Sequence, residues 1–230
     1  MTITYHRDLI QGSDEWLAIK RGIISAGSMN LLMTPTLKPA NNDKTRSHIY
    51  ELAAQRITNY TEPQFFNDHM LRGQIDEVEA RALYAQRFAP VEEVGFITND
   101  AAGFLLGYSP DGVVGADGLI ECKSRLQKHQ IETLVTAVRY QEVPAEYVLQ
   151  IQTGLLVTGR SWCDFISYCG GLPMAVIRCF PDQKIQDAIL EAASDAEKRI
   201  EAIVNEYEAA IASDARLIPT ERKIVQEMHL

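Results

Sequence analysis

The sequence has no run of eighteen or more apolar residues, which excludes a membrane-spanning helix. Its first sixteen residues carry no apolar core of the secretory type, so the expected compartment is the cytoplasm. Cysteine is sparse: Cys122, Cys163, Cys169 and Cys179 form no C-x-x-C pair, and no histidine spacing completes a zinc site. A disulfide framework is not expected, and the four read as reduced, mostly buried small hydrophobes. Internal repeats, low-complexity tracts and a glycine-rich nucleotide loop are missing. So is any separate DNA-reading module such as a helix-turn-helix or zinc finger. Positive charge is in deficit, with 22 Lys and Arg against 31 Asp and Glu for a net charge of −9. That balance argues against a nucleic-acid binder that is basic all over. The deficit is uneven, because acidic residues crowd the segment 182–216. A metal-dependent site also needs carboxylates, and a bound cation inverts the local field. The expectation is a basic groove on an otherwise acidic body.

What is present begins with size. At 230 residues and 46% hydrophobic, the chain can bury one good core, and no break demands a second domain. The central stretch is Ser109 to Ser124, SPDGVVGADGLIECKS. It reads as two short strands around a Gly115-Ala116-Asp117-Gly118 turn. Alternation along the second strand puts Glu121 and Lys123 on one face and Ile120 and Cys122 on the other. The hairpin brings Asp111 toward Glu121. Two carboxylates and an ammonium beside a buried face suit a hard cation such as Mg²⁺, which takes one or two protein carboxylates and keeps several waters. A lysine there can stabilise developing negative charge or help deprotonate water, which fits phosphodiester hydrolysis. The plainer reading of a bare D-x9-E-x-K pattern is a solvated strand face and two turns.

Along the rest of the chain, Ser13 caps a short helix ended by Gly22, and Ser25 to Ser28 opens another that Pro35 stops. Amides at a helix start beside Lys20 and Arg21 could hold a phosphate. The plainer reading of the residues alone is a basic helix end followed by a cap. Thr36 to Lys44 is a polar loop. Helices follow from Ser47, with Ile49, Leu52, Ala53 and Ile57 inward, and from Met70 to Arg87. Leu71, Ile75, Val78, Ala82 and Leu83, with Tyr84 beside them, are the expected buried side of the latter. Val91–Thr98 and Phe104–Tyr108 read as strands completing one sheet with the hairpin. Glu146 to Thr158 reads as a helix whose apolar face is broken by Gln150 and Gln152. Two further strands are expected at Trp162–Tyr168 and Met174–Cys179. A final helix over about 183–213 carries a stripe through Ile185, Ile189, Ala192, Ala196, Ile200 and Ile203, expected to pack across the sheet.

S-P-D-G followed by G-L-I-E-C-K resembles the nuclease core of lambda-type phage exonucleases, the YqaJ-like viral recombinase family within the PD-(D/E)xK superfamily. Three further motifs occur in the family's order, over roughly Ser13 to Leu156. W-L-A-I-K-R-G-I-I-S-A-G-S, Trp16 to Ser28, is similar to the segment whose Arg and Ser hold a terminal 5′-phosphate in relatives. Here Lys20 stands at the Arg position with Arg21 beside it, and Gly27 stands at the Ser position with Ser28 next. Lysine lacks arginine's bidentate fork, so the grip is looser. R-G-Q-I-D-E-V-E-A-R resembles the family's helix carrying an active-site glutamate, here Glu77. The Q-x-Q helix implies a second glutamine facing the site, here Gln152. After the lysine the family places a phosphate-binding arginine. Counting puts His129 there, with Arg125 and Lys128 as substitutes.

The resemblance implies an α/β fold with a central mixed β-sheet flanked by helices, a restriction-endonuclease-like core, as a single nuclease domain over 1–230. It implies Asp111, Glu121 and the backbone carbonyl of Cys122 as Mg²⁺ ligands, for one ion or two, with Mn²⁺ able to substitute. Lys123 and Glu77 complete the catalytic set, and Lys20, Arg21, Ser28, Gln152, Arg125 and His129 are the DNA- or 5′-phosphate-binding candidates. The implied activity is 5′-to-3′ digestion of one strand of linear double-stranded DNA, leaving a 3′ single strand. Implied partners are duplex ends, a homotrimeric ring, and a single-strand annealing protein in recombination. The rival readings are an endonuclease of the same superfamily, a catalytically inactive DNA-end-binding protein, and an α/β binding protein for another ligand.

Overall fold

The computed structural model describes residues 2–63, 67–213 and 216–222. The chain opens with strand β1 (Ile3–His6) and helix α1 (Asp14–Lys20). Ser13 caps α1 by accepting from the Trp16 amide at 3.2 Å. Strand β2 (Ile24–Ser25), a 3₁₀ turn over Ala26–Ser28 and the short helix α2 (Met29–Leu32) follow. Helices α3 (Asp43–Thr58) and α4 (Asp68–Arg87) are capped by the side chains of Asn42 and Asn67. Then come β3 (Phe96–Asn99), β4 (Leu106–Tyr108), β5 (Gly112–Val114) and β6 (Gly118–Ser124). A helical segment runs through α5 (Gln127–Glu132), a π-helical turn over Thr133–Ala137 and α6 (Val138–Tyr140). Helix α7 (Ala145–Thr158), strands β7 (Trp162–Tyr168) and β8 (Ala175–Cys179), and the long helix α8 (Gln183–Ser213) complete it.

The fold is the expected α/β arrangement of mixed sheet flanked by helices, with the strands divided between two four-stranded sheets. One has the order β1-β3-β4-β2, the other β5-β6-β7-β8. Each contains one parallel pair, β2 with β4 and β6 with β7, among antiparallel neighbours. The hairpin β5–β6 therefore does not join Phe96–Asn99 and Leu106–Tyr108 in one sheet as the sequence predicts. Ser109 to Asp111 runs between the two sheets instead. Gly115 turns the hairpin at φ +53°, where a side chain would be strained.

Two apolar clusters sit on opposite faces of the second sheet. Leu119, Phe165 and Ile177 face the larger cluster, with Ile151, Leu155, Ile189 and Ile200 from α7 and α8. Ile120, Cys122 and Ile166 face a smaller one closed by Ala80 and Tyr84 of α4. Helix α7 touches β3, β4 and β7 on one side and α8 on the other, while α8 also packs on α2 and α3. The terminal helix thus joins a helical layer, and its buried side runs through Ile189, Ala192, Ala193, Ala196 and Ile200.

The inward face of α4 differs from the one its apolar residues predict. Leu71, Ile75, Val78 and Leu83 are exposed, while Ala80 and Tyr84 are buried. Arg72, Asp76, Ala80 and Tyr84 recur every four residues, so they share one side of the helix, and that side meets β6. The physical reason is the polar site beneath it. Among the described residues no helix is long and apolar enough to cross a membrane.

Candidate active site

A cleft of about 590 Å³ lies between α1, α4, β6 and α7. Its lining includes Asp111, Glu121, Lys123, Glu77, Lys20 and Gln150. The hairpin does what alternation requires: Glu121 and Lys123 project from the same face of β6, and Lys123 Nζ donates to Glu121 Oε1 at 2.7 Å. Asp111 arrives from the segment before β5, and its Oδ2 accepts the Cys122 amide at 2.6 Å. This bond ties the aspartate to the strand that carries the other two groups.

Glu121 is 1% exposed, and three donors from three elements hold it. Tyr108 of β4 donates its hydroxyl to Oε2 at 2.7 Å. Lys123 and Gln150 of α7, the latter at 2.5 Å, both donate to Oε1. The Tyr108 ring fits because α7 has a glycine opposite it. A Cβ on Gly154 would stand 2.8 Å from the ring.

Helix α4 brings Glu77 to the cleft and Arg81 one turn later. Arg81 donates Nη1 to the main-chain oxygen of Asp111 at 2.7 Å and lies 3.3 Å from Glu77 Oε1. One guanidinium therefore links the helix to the aspartate segment.

The electrostatics reflect carboxylates crowded away from water. Burial, then the charges of Glu121 and Glu77, push the Asp111 carboxyl well above its usual range. Burial also raises Glu77, partly offset by Arg81. For Lys123 burial works to lower the pKa, but Glu121 and Asp111 outweigh it and hold the ammonium above the usual amine range. The direction of this shift favours the ammonium form of Lys123. Burial lowers Lys20, against the pull of Glu51. Its ammonium stands 4.3 Å over the Trp16 ring.

Can these residues hold a cation? Oδ1 of Asp111 has no partner among the described residues, and Glu121 Oε2 accepts only the Tyr108 hydroxyl. Both oxygens keep lone pairs free to accept a further partner. No three His, Cys, Asp or Glu side chains among the described residues form an all-protein metal cage. A hard divalent ion needs only one or two carboxylates, and it would relieve the repulsion that raises Asp111. The donor set fits such an ion.

The structure separates the remaining candidates. Lys20 reaches the cleft. Arg21 does not line it, and donates to Asn59 Oδ1 at 2.6 Å. Ser28 turns back to the Ser25 carbonyl at 3.1 Å, while Ser25 and Gly27 line the cleft in its place. Gln152 points elsewhere: Nε2 donates to the Phe180 carbonyl at 2.8 Å and Oε1 accepts the Asp182 amide at 2.9 Å. Residues two apart on a helix stand on nearly opposite sides, so only one of the pair can face the site, and it is Gln150. Arg125 is buried against Glu146 and Tyr147 and lines a separate cleft. His129 faces outward, 3.4 Å from Glu132. His129 departs because it lies on α5, which carries it away from the hairpin, whereas Arg125 stays at the end of β6, its amide donating to the Tyr168 carbonyl and its side chain taken up by Glu146 and Tyr147. Sequence reasoning missed Tyr108, Gln150 and Ser25. Gln150 alone left a signal, as a polar break in an apolar helix face.

Residues 15–161 match the family described as the YqaJ-like viral recombinase domain. The chain is similar to an alkaline exonuclease, LHK-Exo, from Laribacter hongkongensis, at 32% identity and a TM-score of 0.74 over 87% of this chain and 98% of that one. The structure of LHK-Exo in complex with dAMP gives a TM-score of 0.76 at the same identity and coverage. A phage-related exonuclease from Haemophilus somnus 129PT shares the fold at 15% identity, with a TM-score of 0.58 over 80% of this chain and 96% of that one. No curated protein sequence matches the chain.

Proposed function

The chain belongs to the YqaJ-like viral recombinase family, and from that premise we propose that it is a divalent-metal-dependent exonuclease. It digests one strand of linear double-stranded DNA from the 5′ end and leaves a 3′ single strand for recombination by strand annealing. The observation that carries this reading is the constellation of buried Glu121 with half-buried Asp111 and Lys123, opening into the cleft beside Glu77.

Asp111 and Glu121, with the main-chain carbonyl of Cys122, would hold Mg²⁺, as one ion or two, with Mn²⁺ able to replace it. When bound, the cation supplies Lewis-acid polarisation of the phosphate and lowers the pKa of the attacking water. The chain's own groups do the rest. Lys123, held as an ammonium, donates toward the non-bridging oxygens where negative charge builds up. Glu77 accepts a hydrogen bond from the attacking water and orients it. Water attacks phosphorus and gives up a proton, the P–O3′ bond breaks with O3′ taking up a proton as the 3′-hydroxyl of the released nucleotide, and the remaining strand keeps a 5′-phosphate. Lys20, with Ser25 and Gly27, supplies the wall for the terminal 5′-phosphate.

The working assembly in this reading is a homotrimeric ring acting with a single-strand annealing protein. The apolar side chains left exposed on α4 (Leu71, Ile75 and Val78) support an assembly that covers them. A monomer in light scattering would refute the ring.

The test uses linear duplex with a 5′-phosphate, linear duplex with a 5′-hydroxyl, and closed circles. Each is incubated with protein and Mg²⁺, beside Lys123→Ala and an EDTA control. Loss of the linear forms alone, faster with phosphate and abolished by Lys123→Ala, is the expected result. Cut circles would favour an endonuclease. The absence of metal-dependent cleavage would leave a DNA-end-binding protein.

A further inference from the structure

Arg72 has no role in the chemistry above, yet it lines the same cleft as Asp111 and Lys123. Its Nε donates to Ser124 Oγ at 3.2 Å. Ser124 follows Lys123 on β6, and its hydroxyl donates in turn to Asp76 Oδ2 at 2.5 Å. Arg72 and Asp76 stand only within 3.8 Å of one another, since Asp76 is engaged by the serine. Among the described residues neither η nitrogen of Arg72 has a partner, and the side chain is 40% exposed. The result is an arginine fixed at its neck, with its two outer nitrogens without a protein partner among the described residues, on the wall of a cleft also lined by Glu77, Asp111 and Glu121.

That arrangement has a particular chemistry. A guanidinium fork matches the paired non-bridging oxygens of a phosphate. Anchoring at Nε removes in advance part of the side-chain entropy that binding would otherwise cost. A plain surface ion pair would direct the η nitrogens to the nearest carboxylate, and here they are not so used.

We infer that Arg72 binds a backbone phosphate of the strand being cut, one other than the scissile phosphate held over Asp111, Glu121 and Lys123. It is a cation separate from Lys20, reaching the cleft from α4 where Lys20 reaches it from α1. The inference rests on the nuclease reading of this cleft.

The test compares wild type, Arg72→Ala and Arg72→Lys on 5′-phosphorylated duplexes. One series of duplexes carries a single uncharged methylphosphonate at successive positions from the 5′ end. Binding is read by fluorescence anisotropy in EDTA at several salt concentrations, with melting temperature as a check on folding. Arg72→Ala should weaken binding about tenfold, as expected for one charge-assisted contact. It should also reduce the slope of log affinity against log salt by about one. Arg72→Lys should keep the slope while recovering only part of the affinity. At one methylphosphonate position, wild type should weaken by the same factor and Arg72→Ala should lose nothing further. An unchanged slope, or an equal loss at every position, would overturn the assignment. A wild type that neither binds nor cuts DNA would sink the nuclease reading and this inference with it.

Discussion

Replacing Tyr108 with phenylalanine removes one oxygen and leaves everything else about the side chain in place. The ring is 1% exposed and seated over Gly154, so packing is unchanged. Burial and the neighbouring Glu121 push the phenol well above its usual pKa, so the hydroxyl keeps its proton and is a permanent donor to Oε2. Glu121 is as buried as the tyrosine, and water cannot easily replace the lost donor. A hydrogen bond to a buried charge contributes about 1.5–3 kcal/mol. For a chain of this size each kcal/mol moves the melting temperature by about 2–4 °C. Taking the loss as about 2 kcal/mol, Tyr108→Phe should melt about 4–8 °C lower by the same scaling. Lys123 and Gln150 still hold Oε1, so the carboxylate stays but pivots. If about 1.4–2 kcal/mol of that loss reappears in the transition state, kcat falls about ten- to thirtyfold. The KM for DNA should not change, because Tyr108 acts through Glu121 and not on the strand. Thermal unfolding in EDTA and steady-state digestion of a labelled duplex read the two effects. A variant that melts within about 1 °C of wild type and cuts at full rate would refute the claim that this bond orients Glu121.

Asp111→Asn should abolish cleavage yet raise the melting temperature of the metal-free protein by about 2–4 °C, because it removes a carboxyl whose ionisation burial and the neighbouring carboxylates oppose. The same crowding gives a pH dependence. Burial, Glu121 and Glu77 raise the Asp111 carboxyl, so the folded state holds a proton that the unfolded chain has released. That contribution is complete below the ordinary aspartate value of about 4 and is lost as pH rises through the raised one. Melting curves of the metal-free protein should therefore fall across that window, flatten in Asp111→Asn, and recover on adding Mg²⁺ or Mn²⁺. Gly154→Ala gains helix propensity, but it places a methyl 2.8 Å from a ring that cannot move aside. It should melt lower and lose activity through the same displaced hydroxyl, and equal melting with full activity would show that the ring has room.

The hairpin was legible because its signals are local. A turn and strict alternation suffice to place Glu121 and Lys123 on one face, and Asp111 needs only the hairpin to approach them. Partner choice between strands is not local, so the strands were recognisable while their division into two sheets was not. Strand β1, four residues with a single aliphatic side chain, is too short to carry a legible apolar pattern. On α4 the apolar stripe pointed to the wrong side, because the helix turns its polar residues onto a polar site. Gln150 and Gln152 differ by two positions, and spacing against a family pattern does not fix which side of a helix faces the cleft. Tyr108 carried no signal, since its role depends on a contact between β4 and β6 that only the folded chain makes.

The three donors on Glu121 sit at positions 108, 123 and 150, so the last of them leaves the ribosome well after the motif itself. A nascent chain that has emerged as far as residue 144 already contains Asp111, Glu121 and Lys123. It still lacks the helix that supplies Gln150 and the glycine seat for Tyr108. Synthesis thus withholds the oriented carboxylate until α7 has docked, and an unfinished molecule carries the motif without the cutting edge. A purified fragment ending at 144 should leave duplex DNA untouched.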